Sequence, residues 1–160
     1  MAIAQEALET GRQVAAVSAG TLSAALRAGF ERYVGWPYKV ASASVVDADG
    51  AVSDTFAAVV YAAKEKSPAA APAKIPADSA AVVVDATDSL TIDNFRAAYA
   101  RIARAKRLKK SPAPKLDTPT TTVTLGVIYA QRSDLPLEAF AEELELLNAA
   151  SPSRGWPDMI

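Results

Sequence analysis

Ala80-Ala81-Val82-Val83-Val84-Asp85-Ala86-Thr87-Asp88-Ser89-Leu90-Thr91 is the stretch on which the fold turns. Ala80 to Ala86 is a short apolar run holding one carboxylate, the pattern of a central strand covered on both faces. Thr91 then offers a hydroxyl to cap a helix. That helix is expected to run to about Leu108, because Ile92, Phe95, Tyr99 and Ile102 fall within about 80° of one another on a helical wheel. The stripe predicts a helix laid against the sheet that the strand enters.

Working upstream, Lys64 to Asp78 is dominated by Ala, Pro and Lys, and Pro68, Pro72 and Pro76 predict a surface loop. Tyr38 to Val46 and Phe56 to Ala62 read as two strands joined through Asp47-Ala48-Asp49-Gly50, a turn whose glycine can take a positive φ. Before them, Ala4 to Val34 is helical in pattern, with Leu8, Val14, Val17, Leu22, Leu26, Phe30 and Val34 recurring and Gly20 as a dividing point. Downstream, a Pro-rich link from Ser111 to Pro119 precedes a strand at Val123 to Ala130. A helix at Pro136 to Asn148 follows, started by Ser133 or Asp134. Leu137, Phe140, Ala141, Leu144 and Leu147 are expected inward, and Glu138, Glu142, Glu143 and Glu145 toward water. The order α-β-β-β-α-β-α predicts one α/β domain over 1–160, a mixed central sheet flanked by helices. Its Ala/Pro-rich loops lie at about 64–78 and 111–119.

A chain of 160 residues that is 51% hydrophobic has material for a core, although much of that fraction is alanine, which buries little area. Seventeen basic residues nearly balance eighteen acidic ones, so no overall field draws the chain to nucleic acid or an anionic membrane. Without Cys or His, Ser-His-Asp hydrolysis, Cys-His proteolysis and zinc hydrolysis drop out. The first residues carry Glu6 and Glu9 and no basic segment before an apolar run, and no stretch is long and apolar enough to span a bilayer. A cytoplasmic protein that engages no membrane is the expectation.

Several local motifs, in order, resemble an uncharacterised bacterial domain family of the PD-(D/E)XK nuclease superfamily, the restriction-endonuclease-like fold. They are Val45-Val46-Asp47-Ala48-Asp49-Gly50-Ala51-Val52-Ser53, Ile75-Pro76-Ala77-Asp78-Ser79, Asp88-Ser89-Leu90-Thr91, Lys106-Arg107-Leu108-Lys109, Gly126-Val127-Ile128-Tyr129 and Pro157-Asp158. The resemblance implies an Asp on the second strand and a Glu-x-Lys on the third, two carboxylates holding Mg²⁺ while the Lys orients an attacking water. The corresponding positions here are Ala57 and Asp85-Ala86-Thr87, and Ser23 and Ala24 stand where the first helix often carries an acid. A shift of one or two residues along the second strand restores no carboxylate. The resemblance therefore implies a catalytically inactive nuclease-like domain, not an enzyme, serving as a binding or assembly subunit of a bacterial or phage-encoded complex. An atypical Mg²⁺-dependent nuclease and a purely structural oligomer subunit are the alternatives. No cofactor and no metal site is expected, apart from residual cation binding at Asp85.

Arg96, Arg101, Arg104 and Arg107, extended by Lys106, Lys109 and Lys110, form the strongest charge asymmetry and are the candidate nucleic-acid contacts. A solvated helix face near a helix C-terminus explains the same residues, so any nucleic-acid binding is expected to be weak. Asp88 and Asp93 flank a helix start, where carboxylates complement the dipole without any ligand. Gly20, Gly29 and Gly35 match no phosphate-loop spacing. Trp36-Pro37-Tyr38 and Trp156-Pro157 set aromatics beside turn prolines, as a core lid or an interface anchor. The apolar C-terminal residues predict a strand entering the sheet. A homo-oligomer or protein partner is expected near Val123 to Ala130 or the C-terminus, with folding back as a plug the alternative.

Overall fold

The computed structural model describes residues 22–64, 71–111 and 121–160. The turn at Asp47 starts the sheet: Gly50 takes φ 88°, and Asp47 Oδ1 accepts hydrogen bonds from the amides of Asp49 and Ala51, both at 2.9 Å. This turn joins β1 (Tyr38–Val46) to an antiparallel β2 (Val52–Ala62). The β2 strand starts four residues before the expected Phe56. The expected surface loop contains a short strand, β3 (Lys74–Pro76), which pairs parallel with Ser44 to Val46. Its cause is Ile75, which is 1% exposed and brings the segment to the sheet edge.

The run from Ala80 continues as β4 (Ala80–Leu90), four residues past Ala86, and leads into α2 (Ile92–Lys106). The preceding helical residues 22–33 form the described part of α1. Thr91 caps α2 through its side chain, which accepts from the amide of Asn94 at 3.2 Å. Then β5 (Leu125–Ser133) pairs parallel with β4, and α3 (Leu137–Ala150) and a short 3₁₀ turn follow. The sheet order β3-β1-β2-β4-β5 makes a mixed five-stranded sheet flanked by helices. The expected helix before residue 22, Gly20, Pro68 and most of the Pro-rich link lie outside the described residues.

Two apolar layers sandwich the sheet. Phe56, Val59 and Val83 pack with Phe95, Ala98, Tyr99 and Ile102 of α2, while Val40, Ala58, Val60 and Val84 pack with Phe30 and Val34 from the α1 side. Four features of α3 differ from expectation. Its N-cap is Pro136 with no side-chain cap, not Ser133 or Asp134. Ala141 is exposed, and Leu137 and Glu143 exchange their expected places. Leu137 is 76% exposed, whereas Glu143 is buried and takes two hydrogen bonds from Arg96, at 2.6 and 2.8 Å. The helix turns this carboxylate toward α2 because a buried charge needs a partner.

The C-terminal segment folds back along the outer edge of β5. Met159 bridges Val127 in parallel, Ile128 donates its amide to the Met159 carbonyl at 3.0 Å, and Asp158 donates its amide to Gly126 at 2.8 Å. The Asp158 carboxylate also accepts from the Gly126 amide and from Lys106 Nζ. The segment is no hydrophobic plug, since Trp156, Met159 and Ile160 are exposed; it is the backbone at Asp158 and Met159 that gives Gly126 to Ile128 their neighbour within the chain.

Candidate functional site

Pairing between β2 and β4 covers only Ala58 to Tyr61 against Val84 to Ala80, although each strand has eleven residues. Beyond Ala58 and Val84 each strand stays with its other neighbour, β2 with β1 and β4 with β5. The sheet therefore parts into two halves, and the opening is a cavity of about 330 Å³. Ala57 and Asp85, the next residues out from the last pair, lie at its root with Ala86 and Arg101. Ser23 and Ser42 contribute from the α1 side.

Asp85 is buried at 7% exposure and has a partner on α2. Arg101 Nε donates to one carboxylate oxygen at 2.5 Å and Nη2 to the other at 3.0 Å. This two-pronged geometry suits a guanidinium and a carboxylate. Its hydrogen bond, reinforced by the charges of Asp85 and Asp54, raises the Arg101 pKa against the opposing effect of burial. The fixed charge that Thr87 does not supply thus enters the cleft from the helix. The Thr87 hydroxyl donates instead to the Ser89 carbonyl at 3.1 Å.

A second carboxylate, passed over in the sequence, stands three residues before Ala57. Asp54 accepts from Arg104 Nη2 at 2.5 Å. That hydrogen bond, with the charges of Arg104 and Arg101, holds its pKa below the usual carboxylate value. The signal was available as an acid in a strand followed, 50 residues later at Arg104, by arginines three apart on one helix.

The four candidate nucleic-acid arginines do not form one free basic face. Arg96 is paired with Glu143, Arg101 with Asp85 and Arg104 with Asp54, while Arg107 Nε donates to the Ala103 carbonyl of its own helix at 2.9 Å. The basic residues beyond them are engaged too. Lys106 is 2.7 Å from Asp158, Lys109 is 2.6 Å from Asp49, and Lys110 Nζ donates to Ala80 and Thr121 oxygens.

The resembled nucleases imply a divalent ion. Among the described residues no three carboxylates come together to hold one, and Asp85 has both oxygens on Arg101. The donor set fits an ion that arrives with its phosphate. A hard cation can rest on one or two protein carboxylates when phosphate and water oxygens complete its shell. Asp85, which lines the cleft, is the side chain that would hold it; Asp54 is engaged by Arg104 outside that lining.

No protein-family model matches the sequence, and neither does any curated protein sequence. Solved structures do match. NucC of E. coli MS115-1 in its cAAA-bound form superposes with a TM-score of 0.65 at 24% identity, over 85% of this chain and 60% of that one. Its apo form gives 0.63 at 23%, over 85% and 64%. The cAAA-bound NucC of P. aeruginosa ATCC27853 gives 0.66 at 22%, over 85% and 60%. The chain thus spans about 60–64% of the length of these structures. The expectation that the chain is not an enzyme is overturned by this likeness to NucC, whose fold it shares. Ala57 and Thr87 carry no charge, whereas Asp54 and Arg101 put a carboxylate on β2 and a guanidinium on α2. What the likeness establishes is the fold: a nuclease-type α/β sheet of the kind seen in NucC.

Proposed function

We propose that this chain is an atypical divalent-metal-dependent nuclease that works in the cleft where β2 and β4 part. The observation that carries this reading is the Asp85 carboxylate held against the Arg101 guanidinium at the root of that cleft. Arg101 takes the part of the missing lysine. A guanidinium is always charged and binds phosphate with the same two-pronged geometry it uses for a carboxylate. An entering phosphodiester therefore competes with Asp85 for Arg101, and the exchange frees Asp85 as it fixes the phosphate. Arg104 and Asp54 repeat the arrangement one helical turn along. Ala57 and Ala86 leave room beside the reacting group. A divalent ion bound by Asp85 would draw charge from the phosphate and acidify a bound water.

Plasmid and single-stranded oligonucleotides incubated with Mg²⁺ or Mn²⁺ test this, with and without cAAA, the molecule found bound to NucC. Metal-dependent cleavage is expected, lowered by about 100- to 1,000-fold in Arg101→Ala, by analogy with loss of one charge-stabilising donor, and abolished in Asp85→Asn. No cleavage in any arm, or cleavage indifferent to both substitutions, refutes the reading. Self-association belongs to the same proposal. Among the described residues no strand pairs with the far side of Ala130 to Ser133, beside exposed Leu137 and Ile160, which supports a homo-oligomer that light scattering checks.

A further inference from the structure

A cleft lined by one carboxylate has little of its own to offer a hard cation. Among the residues around the opening Asp85 alone is acidic, and Ala57 and Ala86 give no donor. Two of the hydroxyls there are in use: Ser42 Oγ donates to the Phe56 carbonyl at 3.0 Å, and Thr55 Oγ1 lies 3.0 Å from Ser44 Oγ. Both Asp85 oxygens are held by Arg101, at 2.5 and 3.0 Å. A carboxylate keeps lone pairs after two such bonds. A cation that took them would stand beside a guanidinium of its own sign, at a residue buried from screening water. The two partners are not equally hidden. The Arg101 side chain is 35% exposed and that of Asp85 9%, so an anion reaches the guanidinium more readily than a cation reaches the carboxylate.

We propose that the ion pair of Asp85 with Arg101 is an autoinhibitory latch that makes divalent-ion binding depend on capture of a phosphodiester by Arg101. This rests on the nuclease reading for the identity of the two ligands and adds the regulation of that site. A phosphodiester engages Arg101 with the same fork that Asp85 uses. Its charge replaces that of Asp85 on the guanidinium, and Asp85 changes from counter-charge to metal ligand. The phosphate oxygens also supply the donors the cleft lacks. Metal and phosphate therefore raise each other's affinity, and by the same factor. Without a strand in the cleft, Arg101 keeps Asp85 from the ion.

Electron paramagnetic resonance of free Mn²⁺ measures the binding. The ion is titrated into the protein with and without a fully phosphorothioate thymidine tetranucleotide, which resists cleavage, and Mn²⁺ held by the oligonucleotide alone is subtracted. Wild-type affinity for Mn²⁺ is expected to rise by about 5- to 150-fold with the oligonucleotide, the usual range for coupled sites. Anisotropy of the same oligonucleotide, labelled with fluorescein, should show the reciprocal gain on adding Mn²⁺. Arg101→Gln opens the latch, so without oligonucleotide it should bind Mn²⁺ more tightly than wild type and gain little when oligonucleotide is added. Asp85→Asn should lose the binding in both conditions. Wild-type affinity indifferent to the oligonucleotide, or no Mn²⁺ binding in either condition, overturns the latch, and this comparison needs no variant to fold. An Arg101→Gln protein that is folded by circular dichroism and binds Mn²⁺ no better than wild type overturns it as well. Plasmid cleavage by wild type is scored separately. Coupling without cleavage supports the latch and counts against the nuclease reading, and cleavage without coupling does the reverse.

Discussion

Gly126→Ala tests how closely α2 is seated on the sheet. A Cβ built at Gly126 lies 2.3 Å from Ile102 Cγ2 and 3.3 Å from Lys106 Cδ. Ordinary carbon contacts fall at about 3.5–4.0 Å, so Ile102 must retreat by more than about 1 Å. It has nowhere easy to go, being 0% exposed and packed within the main core cluster. Overpacking of this kind costs about 1–3 kcal/mol. With a urea slope near 2 kcal/mol/M, the unfolding midpoint should fall by about 0.5–1.5 M. Ile102→Ala removes the obstructing Cγ2, at its own cost of about 2–5 kcal/mol for a buried cavity. The double variant should therefore lose less than the sum of the singles, by about the whole cost of Gly126→Ala. Circular dichroism at graded urea reads all four proteins. A Gly126→Ala midpoint within about 0.2 M of wild type, or strict additivity in the cycle, would refute the close seating of α2.

Asp158→Ala should lower stability by about 1–3 kcal/mol in the same urea assay. It leaves Lys106, whose side chain is 7% exposed, with only the Trp156 carbonyl, and takes a partner from the Gly126 amide. Arg96 holds the Glu143 carboxyl below its usual range, so the folded pKa lies under the unfolded one. The stability this supplies is full above about pH 4.3 and disappears as pH falls through the lowered folded value. The stability gap between wild type and Arg96→Gln, wide at pH 7, should accordingly close in urea titrations taken below about pH 4. Asp85→Asn should destabilise as well as inactivate, by about 1–3 kcal/mol, because Arg101 is then left without its counter-charge, though it is partly exposed. A melting temperature unchanged from wild type would show that the pair does not form in solution.

The strand and helix around Asp85 were legible because their signals are local: an apolar run, a threonine cap, and a stripe of Ile92, Phe95, Tyr99 and Ile102. The Asp47 to Gly50 turn was legible for the same reason. Glu143 was misplaced because the helical wheel of α3 has leucines on several sides, and only the position of α2 decides which side is inward. The three residues of β3 carry a single buried side chain, Ile75, between proline-rich flanks, too little for any periodicity. Asp54 was missed for a further reason. The β1–β2 register shifts between Ala41 and Ala43 and again between Ser44 and Val46, and such irregularities displace side chains relative to a count made along the chain. The partnership of Arg101 with Asp85 joins residues sixteen apart, and only the packing of α2 across the parted strands brings them together.

The parting of β2 and β4 is a property of backbone hydrogen bonding, since each strand is held open by a neighbour on its far side. The residues lining the gap are therefore not what keeps it apart. Side chains at its root can be exchanged while the frame stands, and the chain becomes a host into which chemistry can be grafted. Ala57→Asp would put a second carboxylate, with Asp85, into an opening that already exists.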